Sequence, residues 1–473
     1  MGHKTGRDRS EVRLLPAALD DYVSGENPVR LIDALVNGLD MVALGFKNVI
    51  AEKTGRPPYL PSDLLKLFIY GYMHKVPTSR RLERQCQCNV EVMWLLGELK
   101  PDFKTIARFR TENAEAIDKT FEMFIKASLK SEFFGRTLAA IDGSRFKGVN
   151  SQGRIYDKKG LDKAIKKAKE KLEKYRAQMD EMDKQEEDPE RFTEEELSEK
   201  IEQMKQEIQK LQQAEKKLTE SGETQVAMTD PDCRRMKIGS KNLVGYNVQV
   251  AADAKHKLIV GFKVTNDRAD FNNLFDVSSK TKQILETEVL EILADSGYYD
   301  CDEVHKCQES GITTYINAPA NNIQSRKFPK SRFTYDSQTD QYQCPAGQPM
   351  VFIKNIDKGD GRILRAYGTV ACSCCHLKSQ CTSSKRGRLV QRHLKEHVMD
   401  AMAFRVGKHP RLMAKRKEIE HIFGCLKSSL GLREFLTKGF RNVRAEFSLA
   451  ALAFDLKRMI NLVGTQKLIT ALS

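Results

Sequence analysis

Between Leu161 and Leu218 the apolar residues recur at alternating steps of four and three. Leu161, Ile165, Ala168, Leu172, Tyr175, Met179 and Met182 make one run. Leu197, Ile201, Met204, Ile208, Leu211 and Leu218 make a second, with Glu215 at the one missing place. A seven-residue repeat keeps an apolar seam along one side of a helix. Asp188-Pro189-Glu190 lies between the runs. Two heptad helices around a short break predict an antiparallel helical hairpin, a coiled coil over about 160–220 that pairs with itself. Its other faces are dense in Lys and Glu, as solvated faces are. Dimerisation through the seam is the less simple reading. The rest of the chain has to be built around this insertion.

On either side the pattern is that of an α/β domain. Thr137-Leu-Ala-Ala-Ile-Asp142 is a short apolar run closing on an acid, followed by Gly143. It predicts a buried strand whose end carries Asp142. Gly245–Ala252 and Leu258–Val264 predict a hairpin turning at 253–257. A helix is expected over about 270–287. Val289–Asp295 predicts a strand that again ends in an acid, and Ile312–Ile316 a further strand. Strand ends are where a sheet presents functional groups. Taken singly, Asp142 or Asp295 reads equally as a turn aspartate.

Residues 1–130 predict helices. Leu31, Ile32, Leu35, Val36 and Leu39 follow helical spacing, as do Leu64, Leu65, Phe68, Ile69 and Tyr72. Ser62 is placed to cap the second of these. Ser79–Arg84, Val92–Leu96 and a segment beginning at Phe103 predict more short helices. Arg108 and Arg110 on the last of them fit a DNA-contacting helix-turn-helix, with a plain helical bundle as the alternative.

The chain of 473 residues carries 79 Lys and Arg against 64 Asp and Glu, a net charge of +15. That balance suits a polyanionic partner such as nucleic acid. Between Ser383 and Arg444 stand 16 basic and 5 acidic residues, so most of the surplus lies there. No run reaches the roughly 18 apolar residues of a membrane span. No signal-like segment opens the chain, so a cytoplasmic protein is expected. Eleven cysteines then read as thiols or metal ligands before disulfides. Cys344, Cys372, Cys375 and Cys381 have spacing that suits zinc, with Cys374 and His376 as substitutes. Reduced thiols in a loop-rich, irregular stretch over 320–395, with short strands at most, are the other reading.

The third acid lies in Arg416-Lys-Glu-Ile-Glu420-His-Ile-Phe-Gly-Cys-Leu-Lys427. Steps of four and seven put Arg416, Glu420 and Lys427 on one helical face. Such an arrangement fits a carboxylate holding metal between cations that hold phosphate, and equally a surface ladder of ion pairs.

Taken together, these segments resemble the DDE transposases of bacterial insertion sequences, in the group with a Tyr-x2-Arg-x3-Glu-x6-Lys signature. Arg416, Glu420 and Lys427 match it, while its tyrosine position falls on Met413. The Asp142 context, Thr229-Asp-Pro-Asp232, Gly245-Tyr-Asn-Val, Leu293–Tyr298 and the block from Pro57 to Arg110 also look like this family, in order. The likeness spans about 30–460. It implies an α/β ribonuclease-H-like catalytic core over 131–465, with a five-stranded mixed sheet and a helical DNA-binding domain over 1–130. The coiled-coil hairpin (160–220) and the Cys-rich stretch (320–395) would be insertions. It implies that Asp142, Asp295 and Glu420 hold Mg²⁺ or Mn²⁺, and that Arg416, Lys427, Arg108 and Arg110 contact DNA. Carboxylates favour such hard cations. Two ions about 4 Å apart can serve both the attacking and the leaving oxygen of a phosphodiester. The implied partners are the element's terminal inverted repeats, target DNA and further copies of the chain, in a nucleoid-associated bacterial protein. A transposase-derived DNA-binding protein without catalysis and a nuclease without strand transfer are the alternatives.

Overall fold

The computed structural model describes residues 18–51, 57–182, 194–238, 240–319, 327–359 and 362–472. Seven helices come first: α1 (Pro28–Asn37), α2 (Met41–Leu44), α3 (Pro61–Met73), α4 (Ser79–Cys88), α5 (Val90–Leu96), α6 (Phe103–Glu112) and α7 (Ala114–Leu129). Pro61 takes the first turn of α3, where its fixed φ suits helix entry and its missing N–H costs nothing. Ser62, expected as the cap, therefore lies inside the helix.

The middle of the chain holds β1 (Leu138–Lys147), β2 (Ile155–Tyr156), α8 (Lys158–Met182), α9 (Glu194–Ser221), β3 (Val226–Ala227), β4 (Arg234–Ile238), β5 (Lys241–Asp253), β6 (Ile259–Thr265), α10 (Leu274–Leu285), β7 (Leu290–Ala294), α11 (Cys301–Glu309) and β8 (Ile312–Ile316). One sheet of six strands runs β4-β5-β1-β7-β8, with β6 also on β5. The expected hairpin is β5–β6, and a tighter one, β4–β5, precedes it. β1 runs antiparallel to β5 and parallel to β7, and β7 runs parallel to β8.

Asp142 is not the last residue of its strand, because pairing with β5 carries β1 on to Lys147. The ladder between β1 and β7 closes earlier, at Ala140 opposite Leu293. Two residues further along both strands in that register bring Asp142 level with Asp295. Residues two apart share a face, so both acids leave the sheet on the same side where the two strands part.

α8 and α9 pack through Leu161, Ile165, Ala168 and Leu172 against Ile201, Ile208, Leu211 and Leu218. Ala214 is buried beside Glu215, so the gap in the repeat is filled by its neighbour. Ile155 and Tyr156 pair with Ala227 and Val226 where the two helices begin and end, which sets the helices antiparallel. The Asp188-Pro189-Glu190 break and the side chain of Met182 lie outside the described residues.

Over 320–395 the structure holds more order than the expected irregular stretch. β9 (Thr334–Asp336), β10 (Gln341–Gln343), β11 (Pro349–Asp357), β12 (Ile363–Gly368), the short α12 (Lys378–Cys381) and β13 (Val390–His393) follow β8. The five strands form a second sheet, β13-β12-β11-β10-β9. Its core is Phe333, Tyr342, Met350, Tyr367 and Val390. Scattered aromatics among polar residues gave this stretch no clean alternation, so strand periodicity did not reveal it.

The chain closes with α13 (His397–Lys408), α14 (Pro410–Lys415), α15 (Lys417–Gly424), α16 (Phe440–Val463) and α17 (Thr465–Leu472). α16 is buried along most of its length and packs on α3, α7 and β6. The N-terminal helices and the central sheet therefore share one apolar core through it. Asp230 and Asp232 accept from the Gly439 and Phe440 amides at the start of α16, at 3.2 and 2.9 Å. Carboxylates there meet the positive end of the helix dipole, which gives the Thr229-Asp-Pro-Asp232 segment a structural task.

Where β5 crosses the end of β1, a Cβ on Gly245 would stand 1.9 Å from the Phe146 carbonyl oxygen and 2.8 Å from the Gly148 nitrogen. Backbone cannot give way cheaply. Gly245→Ala should cost about 1–3 kcal/mol or more. Gly407→Ala, in α13 with open space around it, should gain up to about 1 kcal/mol. Urea denaturation midpoints of the two variants should move in opposite directions.

Candidate active site

Asp142 is half-buried on β1, and its Oδ1 accepts the Gly143 amide at 2.8 Å. Burial is the main cause that pushes its carboxyl up to about 6. The nearby carboxylates of Asp295 and Glu420 push the same way, against the Gly143 hydrogen bond and the Arg416 guanidinium. Asp295 follows β7 and caps a single 3-10 turn, with its Oδ1 accepting from Gly297 at 2.8 Å. Glu420, on α15, is exposed, and Arg416 holds it at 3.4 Å. Asp295 and Glu420, both foreseen in the sequence, are thus within electrostatic reach of Asp142. Among the described residues, no three His, Cys, Asp or Glu side chains gather around a single ion-sized point.

The segment carrying the third acid is not the regular helix that steps of four and seven assume. The chain breaks from α-helix at Arg416, resumes as α15 and passes into a π turn at Cys425–Ser429. A π turn takes more residues per revolution, so the seven-residue step from Glu420 to Lys427 is not two regular α-helical turns. Its Nζ donates to Ser144 Oγ at 2.6 Å and to the Arg145 carbonyl at 3.1 Å, and lies 4.7 Å from the centre of the Phe146 ring. Burial, then Arg145, lowers its pKa. Lys427 therefore fastens this segment to β1 beside Asp142.

More contacts fix the same join. Phe146 meets Phe423, Phe435 and Phe447 at ring-centre distances of 6.2, 5.6 and 6.0 Å. The Phe435 amide donates to the Lys147 carbonyl at 2.8 Å. The buried Glu446 accepts the Leu436 and Thr437 amides at 3.0 Å and the Thr437 hydroxyl at 2.7 Å. Met413, at the signature's tyrosine position, packs on the core.

Sequence reasoning missed a polar cluster behind the acids. Asp270 Oδ1 accepts from Asn247 Nδ2 and Gln249 Nε2, both at 2.7 Å, and Arg145 reaches Oδ2 at 3.1 Å. The buried Tyr298 hydroxyl donates to Gln249 Oε1. A Cβ on Gly143 would stand 2.4 Å from Gln249 Nε2 and 2.9 Å from Asp270 Oδ1, so glycine beside Asp142 lets this cluster close. The signal was present in β5, where Asn247 and Gln249 alternate with Val248 and Val250. All four are fully buried, so two amides point into the interior.

The other foreseen residues separate. Arg108 is 76% exposed and pairs with Glu112 at 2.7 Å. Arg110 is a correction: it is buried, its guanidinium 5.4 Å from the Phe68 ring centre and 3.5 Å from the Tyr72 hydroxyl. The helix turns it inward, so its guanidinium packs in the core and not on the exposed face of the helix. Cys344, Cys372, Cys375 and Cys381 line one small cavity. Cys374 and His376 are exposed and not among its walls. No helix among the described residues is long and apolar enough to cross a membrane.

Residues 17–112 match a family model described as a transposase domain (DUF772). Residues 343–460 match one described as a transposase DDE domain. The likeness to transposases is thus shown in two separate stretches, and the second, the DDE match, holds Glu420 and the four clustered cysteines. No curated protein matches the chain. Among solved structures, a piggyBac transposase synaptic complex with hairpin DNA aligns at 9% identity, over 94% of this chain and 79% of that one, with a TM-score of 0.35. So low a score lends no weight to the residue roles.

The raised Asp142 carboxyl sets a sign for stability. A native pKa near 6, against 3.8 for the free group, means that ionising Asp142 opposes folding. That cost is full above pH 6, shrinks as pH falls through 6, and is gone below about 4. A shift of that size corresponds to roughly 3 kcal/mol at most. Without divalent ions, Asp142→Asn should be more stable than the parent by about 1–3 kcal/mol at pH 7.5, with the gap closing by pH 4. Denaturation at the two pH values checks it; an equal gap at both would contradict this origin.

Proposed function

We propose that the chain is a metal-dependent DNA transposase that cuts the ends of its element and joins them to target DNA. The observation that carries this reading is the placement of Asp142 and Asp295 level on adjacent parallel strands, with Glu420 in electrostatic reach. The strand order β6-β5-β1-β7-β8, with only β5 antiparallel to β1, supports a ribonuclease-H-like core.

The donor set fits a divalent cation. Burial first, and the Asp295 and Glu420 carboxylates with it, raise the pKa of Asp142; the three acids together leave a surplus of negative charge, and hard oxygen donors suit Mg²⁺ or Mn²⁺. Asp142, Asp295 and Glu420 would hold it. When bound, such ions supply Lewis-acid activation of the attacking oxygen and stabilisation of the leaving one. The chain's residues do the rest. Asp142 is ionised at neutral pH and ready to ligate. Asp270 accepts from Asn247 and Gln249 on β5 and from Arg145 on β1, and so ties the two strands together beside the acids. Lys427 fixes the Glu420 segment on β1. Arg416 neutralises Glu420 until a cation takes that place, and is then free for a phosphate.

Arg108 and the basic stretch 383–444 are the DNA contacts this reading favours, and Arg110 is not. Phosphate contacts make binding fall steeply with salt. Terminal repeats and target DNA would be the substrates, with more than one copy of the chain assembled on them.

The test is incubation with DNA carrying the flanking terminal repeats and Mg²⁺. Nicked ends and joined products are expected from the parent protein. Asp295→Asn should bind equally well but cut at least about 100-fold more slowly. Cutting without joining would make the protein a nuclease, and salt-sensitive binding without cutting would make it a DNA-binding derivative. Undiminished cutting by Asp295→Asn would overturn the assigned site.

A further inference from the structure

We propose that Cys344, Cys372, Cys375 and Cys381 bind one structural zinc ion, with Arg388 as a neighbouring cation that offsets part of its charge. The four cysteines, separated by up to 37 positions in the chain, come to the wall of a single cavity of about 20 Å³. That is room for about one water-sized occupant and none for an organic ligand. Phe328, Phe333, Met350 and Leu377 supply its apolar lining.

Each thiol is presented by a tight piece of backbone. Gly347, with φ +74°, closes a turn in which its amide donates to the Cys344 carbonyl at 2.8 Å. The Lys378 amide donates to the Cys375 carbonyl at 3.1 Å, and α12 delivers Cys381. Gly387, at φ +98°, has no room for a side chain, because a Cβ there would stand 2.7 Å from that of Cys372.

Two further observations point to an anionic occupant. Arg388 lines the same cavity, and its Nε is buried without a hydrogen-bond partner among the described residues. A buried guanidinium donor left unpaired is costly, and a thiolate sulfur would satisfy it. Zinc bound by four thiolates carries a net charge of −2, so a cation beside it is favourable. The second sheet also has a small apolar core of its own, and small cores are commonly stabilised by a metal. No three of the sulfurs have yet closed to ion-sharing distance. Zinc, at about 2.3 Å from each, would draw them together as four thiol protons leave to solvent.

The test is metal content of the full-length protein purified without added metal or chelator. One zinc per chain is expected, released when a mercurial thiol reagent titrates four sulfurs. Cys375→Ser should lose the zinc. Cys374→Ser should keep it, because that thiol is exposed and off the cavity wall. Should Cys375→Ser fail to fold, Arg388→Gln serves in its place, with zinc affinity weakened about 10- to 100-fold. Less than a tenth of a zinc per chain that also cannot be loaded with added zinc, retention of full zinc by Cys375→Ser, or a disulfide among the four in unreduced peptide maps would each overturn the proposal. None of these readouts depends on DNA cleavage, so the result stands apart from the catalytic reading.

Discussion

Parallel pairing of β1 with β7 decides where the two aspartates stand. Leu138, Ala139 and Ala140 take Glu291, Ile292 and Leu293 as partners, and continuing that register sets Asp142 beside Asp295. A slip of one residue would turn one acid to the opposite face of the sheet. Register is protected because each acid follows a run of buried apolar residues. Ala139, Ala140 and Ile141 are buried on β1, as are Ile292, Leu293 and Ala294 on β7. The hydrophobic effect thus sets the geometry of a charged site from a distance of one or two residues.

Bringing carboxylates together costs energy, and the surroundings carry that cost. Asp142 is held against its neighbours by the strand and by the Gly143 amide, not by a paired cation of its own. Glu420 comes from a segment clamped to β1 by Lys427, the Phe146 ring cluster and the Glu446-bound turn at 436–437. α16 carries Glu446 and also packs against α3, α7 and β6. The N-terminal helices and the third acid are therefore positioned by one buried helix.

Elements defined by strong periodicity were legible in the sequence. The heptad hairpin, β5–β6, α10, β7 and β8 lie where spacing placed them, within a few residues. Asp142, Asp295 and Glu420 stand out by their settings and by the resemblance, and Asp295 and Glu420 lie within electrostatic reach of Asp142. What escaped has physical reasons. Lys427 was placed on the Glu420 face because a regular helix was assumed, and a π turn changes that phase. Arg110 follows the basic pattern of its helix, but its guanidinium turns inward onto Phe68. Asp270 lies in Asn266-Asp-Arg-Ala-Asp270, a polar loop that nothing in its local sequence distinguishes from a turn. The second sheet was missed because its core is a few aromatics and not an alternating strand pattern.

The central claim is that Asp142, Asp295 and Glu420 share a divalent ion. Replacing Mg²⁺ with Fe²⁺ and adding ascorbate and peroxide makes a bound ion release radicals that cut the nearest backbone. Fragment masses should place the cuts at three stretches distant in sequence, beside residues 142, 295 and 420, with excess Mg²⁺ suppressing them. Cuts confined to other segments, or cuts unaffected by Asp142→Asn, would contradict the account.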